Sequence, residues 1–173
     1  MIKIIDNYLN EKDFNFVHST LNSREFLWEW HKVANRNSKN PGDDFQFMHF
    51  FLEYGKIFYV NASQLPITIV QRYALEENKK FRISRAKANL YVKTRETPRH
   101  LGFHKDIEDS DNLLTIILYL ETSNGYTEFK NGEIANSVKN RAVIFPAHEE
   151  HQTVTQTDTL FRTNINVNIE EIC

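Results

Sequence analysis

Gly102-Phe-His-Lys-Asp106 sets an imidazole and a carboxylate two residues apart. In an extended chain side chains alternate between faces, so His104 and Asp106 point the same way and form two prongs of a metal clamp. A second imidazole from a distant strand would complete a 2-His-1-carboxylate facial triad, which leaves three coordination positions open and suits non-haem Fe(II). His151 can supply it. Alone, H-x-D is a short pattern that more often marks a polar turn before a strand, so its weight comes from the strands downstream of it.

Asn112 to Leu120 is a strong strand, followed by the turn Ser123-Asn124-Gly125 and by Tyr126-Thr-Glu-Phe129. Arg141 to Pro146, His151 to Thr155 and Phe161 to Ile169 read as further strands. Arg162 is the one basic residue in the last of them. Its guanidinium can make two parallel charge-assisted hydrogen bonds to a carboxylate and stays charged when buried. Asn164, Asn166 and Asn168 share its face, while Ile165, Val167 and Ile169 face the opposite way, the pattern of a strand that lines a polar cavity. In Arg82 to Lys93 the same alternation puts Arg85, Lys87, Asn89 and Tyr91 on one face, with Ile83, Ala86, Ala88, Leu90 and Val92 mostly on the other.

From about residue 81 to 169 these features run in a fixed order. H-x-D and a strand are followed by Gly125-Tyr-Thr-Glu-Phe129 as G-x-T-x-F, a strand ending in Phe145-Pro146, a distal histidine, and a basic residue about ten positions on. The order resembles that of the 2-oxoglutarate/Fe(II)-dependent dioxygenases, especially the prolyl-hydroxylase-like branch. The resemblance implies an α+β fold, a double-stranded β-helix (jelly roll) with N-terminal buttressing helices. It implies Fe(II) held by His104, Asp106 and His151, with Arg162 on the 5-carboxylate of 2-oxoglutarate. Tyr119 would donate its hydroxyl to that distal carboxylate, and Tyr91 or Asn89 would give a further cosubstrate contact. His151 is preferred to His148 because it heads a period-2 run and because Arg162 lies 11 residues beyond it, against 14 for His148. Glu149 and Glu150 are candidate acceptors for an imidazole N–H. The implied reaction consumes O2 and 2-oxoglutarate, releases succinate and CO2, and hydroxylates an unactivated C–H bond of a peptidyl or small-molecule substrate. Arg95, Arg99 and His100 lie near the metal segment and could meet an acidic group on that substrate.

The elements that must position these residues come earlier in the chain. One domain spanning 1–173 is expected, with about 1–80 as mainly helical support and about 81–169 as the jelly-roll core. Met1 to Tyr8 reads as a short strand. Asn10 is a plausible N-cap for Glu11 to Asn22, whose Phe14, Val17, His18 and Leu21 make one helix face. His18 there is a half-buried, satisfied histidine rather than a ligand. Ser63 can cap a helix from Gln64 to Glu77, with Pro66 tolerated in the first turn and Leu65, Ile69, Val70 and Tyr73 packing on the outside of the sheet. Phe26 to Trp30 reads as a strand or irregular cover, and Asn35 to Asp44 as an exposed loop. Phe45 to Tyr54 has no clean period and fits a buried strand or a helix.

Composition bounds the class. With 173 residues, 40% hydrophobic and 13% aromatic, the chain can close a core without disulfides or a structural metal. A net charge of -2 gives no basic excess to draw in nucleic acid. The single cysteine, Cys173, fits a reducing compartment, and with no signal peptide and no long apolar run a cytoplasmic, non-membrane enzyme is expected. Two other classes compete. A cupin-type metal-binding enzyme without 2-oxoglutarate has no need of Arg162, and a non-catalytic jelly-roll binding module needs none of the four residues in this joint spacing.

Overall fold

The computed structural model describes residues 1–32, 45–53, 55–58, 62–108 and 112–172, so the Asn35 to Asp44 segment lies outside the described residues. Two helices and eleven strands run in the order β1 (Lys3–Ile5), α1 (Glu11–Leu21), β2 (Glu29–Lys32), β3 (Phe45–Glu53), β4 (Lys56–Ile57), α2 (Gln64–Glu77), β5 (Lys80–Val92), β6 (Leu113–Tyr119), β7 (Tyr126–Phe129), β8 (Ile134–Asn136), β9 (Arg141–Pro146), β10 (His151–Val154) and β11 (Phe161–Ile172). Among the described residues, no helix is long and apolar enough to cross a membrane.

The strands form an 8-stranded antiparallel sheet, ordered β1-β9-β6-β11-β5-β3-β2 with β4 on β3, and a 3-stranded sheet, β10-β7-β8. Alternation in the central strands gives the large sheet two unlike faces. Ala86 and Ala88 of β5, Ile116 and Leu118 of β6, and Ile165, Val167 and Ile169 of β11 form one face, and they pack with Phe14, Val17 and Leu21 of α1 and Leu65, Ile69 and Tyr73 of α2 in one apolar cluster. Ile117 and Tyr119 of β6, with Val143 and Phe145 of β9, cluster on the other face with Phe129 and Ala135 of the small sheet. The layers are therefore helices, large sheet and small sheet, an α+β jelly roll with buttressing helices.

Among the described residues before β5, the chain supplies the strands β1 to β4 as well as α1 and α2. The stretch without a clean period is the strand β3. Phe50 lies opposite Lys87 and Leu52 opposite Ala86, so Phe51 is an extra residue at a register shift. A bulge of this kind breaks the alternation of the strand that carries it. Phe51 is itself fully buried.

Helix α1 begins as its sequence requires, with the Asn10 side chain accepting the Asp13 N–H at 2.9 Å and acidic Glu11 and Asp13 in the first turn. The chain just before this helix is tied to the sheets by Asn140, in the turn before β9. Its φ of 60° is left-handed, its amide oxygen accepts Leu9 N–H at 2.9 Å, and its amide N–H2 donates to the Leu9 carbonyl at 2.8 Å. Its backbone accepts from Tyr8 N at 2.9 Å and donates to the Tyr119 carbonyl at 3.0 Å. Asn140→Ala removes two side-chain hydrogen bonds and strains the left-handed turn, so a loss of about 2–3 kcal/mol is expected in urea unfolding. Asn140→Gly keeps the turn free of strain and is expected to lose less, and an equal loss in the two variants would show that the conformation of the turn contributes nothing.

Candidate metal centre and its cavity

His104 and His151 are brought together by backbone pairing. His104 N–H donates to the His151 carbonyl at 2.9 Å and His151 N–H donates to the His104 carbonyl at 3.0 Å, an isolated antiparallel bridge on the edge of β10. Directly opposed residues of an antiparallel pair project to the same face, so the two imidazoles stand side by side, with ring centres 4.6 Å apart. Asp106, two residues on, is tied by its N–H to the Ala147 carbonyl at 3.1 Å. Gly102, with a left-handed φ of 91°, turns the segment into this path, and its N–H donates to the Gln152 side-chain oxygen at 3.1 Å.

One ligand atom from each of His104, Asp106 and His151 lies within 4.8 Å of the others. His151 Nε2 is 3.9 Å from Asp106 Oδ2. Ligands about 2.1 Å from one ion at right angles lie about 3 Å apart, so this gap is within about an ångström of that of a filled site. The ring nitrogens are oriented for the task. His151 Nδ1 lies 2.9 Å from the Glu149 carbonyl and His104 Nδ1 lies 3.3 Å from the Gly102 carbonyl. A carbonyl can only accept, so each Nδ1 carries the proton and each Nε2 lone pair is left for a metal. The acceptor at His151 is thus the Glu149 backbone, which corrects the expectation of a Glu149 or Glu150 carboxylate. Glu150 instead faces Lys130 at 3.8 Å. His148 is outside the three-residue cluster.

Burial alone would raise the Asp106 pKa, but the two imidazoles, the Lys87 ammonium and the Asn166 amide outweigh it and hold the carboxyl well below its usual range. Its oxygens are engaged by several donors. Thr115 O–H donates to Oδ2 at 2.9 Å, Asn166 Nδ2 lies 3.2 Å and Asn168 Nδ2 3.4 Å from the same oxygen, and Asn168 also donates to the Thr115 hydroxyl at 2.8 Å. His104 keeps an open edge at the cavity mouth, yet the surrounding protein and neighbouring His151 push its pKa down to about 4, so it is a neutral ligand at ordinary pH.

Strand register makes the rest of the wall. Arg85, Lys87, Asn89 and Tyr91 of β5 lie opposite Asn168, Asn166, Asn164 and Arg162 of β11. Thr115, Ile117 and Tyr119 of β6 lie opposite Asn168, Asn166 and Asn164. The cavity over this face measures about 610 Å³ and is walled by the triad together with Arg85, Lys87, Asn89, Tyr91, Asn164 and Asn166 among others. That volume suits a small ligand. Asn89 donates to the Asn164 side-chain oxygen at 2.8 Å, and the Tyr91 hydroxyl lies 3.4 Å from that of Thr153. Arg95, Arg99 and His100 are not on the wall, and His100 instead faces Glu128 at 3.5 Å.

Arg162 is fully buried, and none of its three nitrogens has a hydrogen-bond partner among the described residues. Its guanidinium carbon sits 5.1 Å from the centre of the Tyr91 ring. Arg162 is behind the wall rather than on it, with Tyr91 between. An unpaired buried charge is costly, and an anion is the partner that would relieve it. Tyr119 is also off the cavity: its hydroxyl donates to Thr127 at 2.7 Å and lies 3.3 Å from the Ala135 carbonyl. Gly125 explains how the guanidinium fits, since a Cβ there would stand 2.8 Å from Arg162 Nη1.

Sequence reasoning missed Thr115, Gly125 and Gln152 as supporting residues. The signal for Thr115 was a polar residue on the strand face that it shares with Ile117 and Tyr119.

No family model matches the chain, and no curated protein matches it in sequence. Solved structures do match in shape. A 2OG-Fe(II) oxygenase family oxidoreductase from Burkholderia pseudomallei superposes with a TM-score of 0.73 at 8% identity, over 98% of this chain and 84% of that one. A prolyl hydroxylase from Trichoplax adhaerens, solved with a peptide of the hypoxia inducible factor oxygen degradation domain, gives 0.62 at 13% identity over 98% and 83%. HygX from Streptomyces hygroscopicus, with nickel and 2-oxoglutarate bound, gives 0.60 at 8% identity over 98% and 82%. The fold is that of the 2OG-Fe(II) oxygenases, prolyl hydroxylases included.

Thr115→Val removes the hydroxyl that steadies Asp106 while keeping the side-chain shape. Metal affinity is expected to fall about 10–100-fold, measured by Co(II) titration of the apo-protein, and an unchanged affinity would remove Thr115 from the metal centre.

Proposed function

We infer that this chain, which has the fold of the 2OG-Fe(II) oxygenases, is a non-haem Fe(II)- and 2-oxoglutarate-dependent dioxygenase that hydroxylates a C–H bond of a peptidyl or small-molecule substrate. The observation that carries the reading is a joint one. A convergent His104, Asp106, His151 cluster at the edge of the small sheet looks across one cavity at the polar face of β5 and β11, and on that face a fully buried Arg162 guanidinium stands unpartnered among the described residues. A metal-binding enzyme without an oxo acid leaves the buried guanidinium without purpose. A binding module leaves unexplained a buried carboxylate set against two oriented imidazoles.

In this reading the chain acts as one domain over 1–173, and its lone cysteine fits the reducing cytoplasm. His104 and His151 would hold the metal through Nε2 and Asp106 through a carboxylate oxygen. Thr115, Asn166 and Asn168 keep that carboxylate ionised and aimed. The bound iron and 2-oxoglutarate supply the oxidative chemistry that activates O2. Arg162 takes the cosubstrate's far carboxylate, which requires Tyr91 to swing from its place against the guanidinium. Burial raises the pKa of the Tyr91 phenol, so it stays protonated and can donate. Tyr91 and Asn89 stand on the wall as cosubstrate contacts. Tyr119 donates its hydroxyl hydrogen bond to Thr127, and we assign it to shaping the Arg162 pocket rather than to direct contact.

Two outcomes are expected. His104→Ala and Asp106→Ala abolish 2-oxoglutarate turnover, read as succinate formation, while His148→Ala has a milder effect than His151→Ala; the reverse order would make His148 the ligand. Arg162→Ala weakens 2-oxoglutarate binding about 30-fold to several-thousand-fold, the effect of truncating one side of a buried charge pair. Calorimetry with Fe(II) present and oxygen excluded measures it. Arg162→Lys restores part of the affinity because it keeps the charge and loses the fork. Equal dissociation constants in wild type and Arg162→Ala would mean that another group holds the carboxylate.

A further inference from the structure

The cavity carries more positive charge than a metal and a dicarboxylate require. Lys32, Arg85, Lys87 and Lys105 line it, against the carboxylates of Asp106 and Glu108. A divalent ion and a dianionic cosubstrate cancel one another, so the excess of cations remains after loading. Arg85 and Lys105 have partners. Arg85 Nε donates to Glu53 at 3.1 Å, and Lys105 faces Glu108 at 3.8 Å. Lys87, at the middle of β5, is different. No hydrogen bond or ion pair within contact distance engages its ammonium among the described residues, and Arg85, Asp106 and Glu53 act on it only through space.

Its position in the sheet sets it apart from the Arg162 pocket. Arg162 lies opposite Tyr91, and Lys87 lies opposite Asn166, four residues back along β5. At about 3.3 Å per residue the two cations are anchored about 13 Å apart along the strand. A cosubstrate with one end at the metal and the other at Arg162 runs away from Lys87. Lys87, opposite Phe50 of β3, lines the same cavity, whose volume of about 610 Å³ leaves room for a second molecule beside a small dicarboxylate. On the same face Asn166, directly opposite Lys87, has a buried side-chain oxygen without a hydrogen-bond partner among the described residues, which gives such a molecule an acceptor for its own donors.

We propose that Lys87, backed by Arg85, is a second anion-binding point, separate from Arg162, that receives a carboxylate or phosphate group of the primary substrate and places the rest of that molecule beside the metal. The proposal rests on the dioxygenase reading of the site. It narrows the substrate class to molecules, or peptide segments, that carry an anionic group close to the bond to be oxidised. A lysine suits this task as a point charge on a flexible stem that can follow substrates of differing shape.

The test is a calorimetric titration of inorganic sulfate into the full chain, with Fe(II) and 2-oxoglutarate bound and oxygen excluded. Wild type, Lys87→Met and Lys87→Arg are compared, and 2-oxoglutarate affinity is measured for each. The expected result is a loss of sulfate affinity of about tenfold or more in Lys87→Met, recovery in Lys87→Arg, and a change in 2-oxoglutarate affinity well below the change in sulfate affinity. Equal sulfate affinity in Lys87→Met overturns the proposal, and so does a parallel loss of 2-oxoglutarate affinity, which would make Lys87 a cosubstrate ligand. If wild type binds neither metal nor 2-oxoglutarate, the dioxygenase reading fails by itself. The sulfate titration of the bare chain then still decides Lys87 by the same comparison.

Discussion

The reciprocal backbone pair between His104 and His151 is the constraint on which the site depends. It joins residues 47 positions apart in the chain, and nothing in either short segment specifies it locally. β7 holds β10 through the register His151 with Phe129, and the strand edge then captures the 100–106 segment. Once that edge is fixed, alternation decides the rest: His104, Asp106 and His151 have to converge. Convergence of a carboxylate and two rings is maintained because the backbone hydrogen bonds beneath them are those of an ordinary sheet edge.

A polar wall inside a jelly roll is in tension with the burial that stabilises the fold. Asn164, Asn166, Asn168 and Arg162 are all buried, and buried polar groups destabilise unless they are bonded. The chain answers this in two ways. Near the metal, Thr115, Asn168 and Asn166 donate among themselves and to Asp106. At the inner end no described residue satisfies Arg162, and the opposite sheet face carries the stability through the aliphatic residues that pack on α1 and α2. The unsatisfied guanidinium is a local cost that the apolar face offsets, and it is where a ligand gains most by binding.

Much of this was legible in the sequence because sheet alternation is a strict rule. The Asn-apolar alternation of residues 164–169 gave both faces of β11, and Asn10 with Glu11 and Asp13 marked the start of α1 where it stands. The register shift at Phe51 hid β3, since a bulge destroys the period by which a strand is recognised. The Glu149 carbonyl as the acceptor for His151 was invisible because backbone groups carry no sequence signature. The Tyr119 hydroxyl is a related case: the family resemblance implied its cosubstrate contact, while here it donates to Thr127 and lies near the Ala135 carbonyl on the facing small sheet, and contacts between sheets are not encoded in the alternation of either strand.

The central claim is that one chain binds a ferrous ion at His104, Asp106 and His151 and an oxo acid beside it. Anaerobic visible spectroscopy tests this most directly. Adding 2-oxoglutarate to the Fe(II)-loaded protein is expected to produce a weak, saturable charge-transfer band, and Asp106→Ala is expected to lack it. A wild-type protein that takes up Fe(II) and develops no band at saturating 2-oxoglutarate would contradict the account.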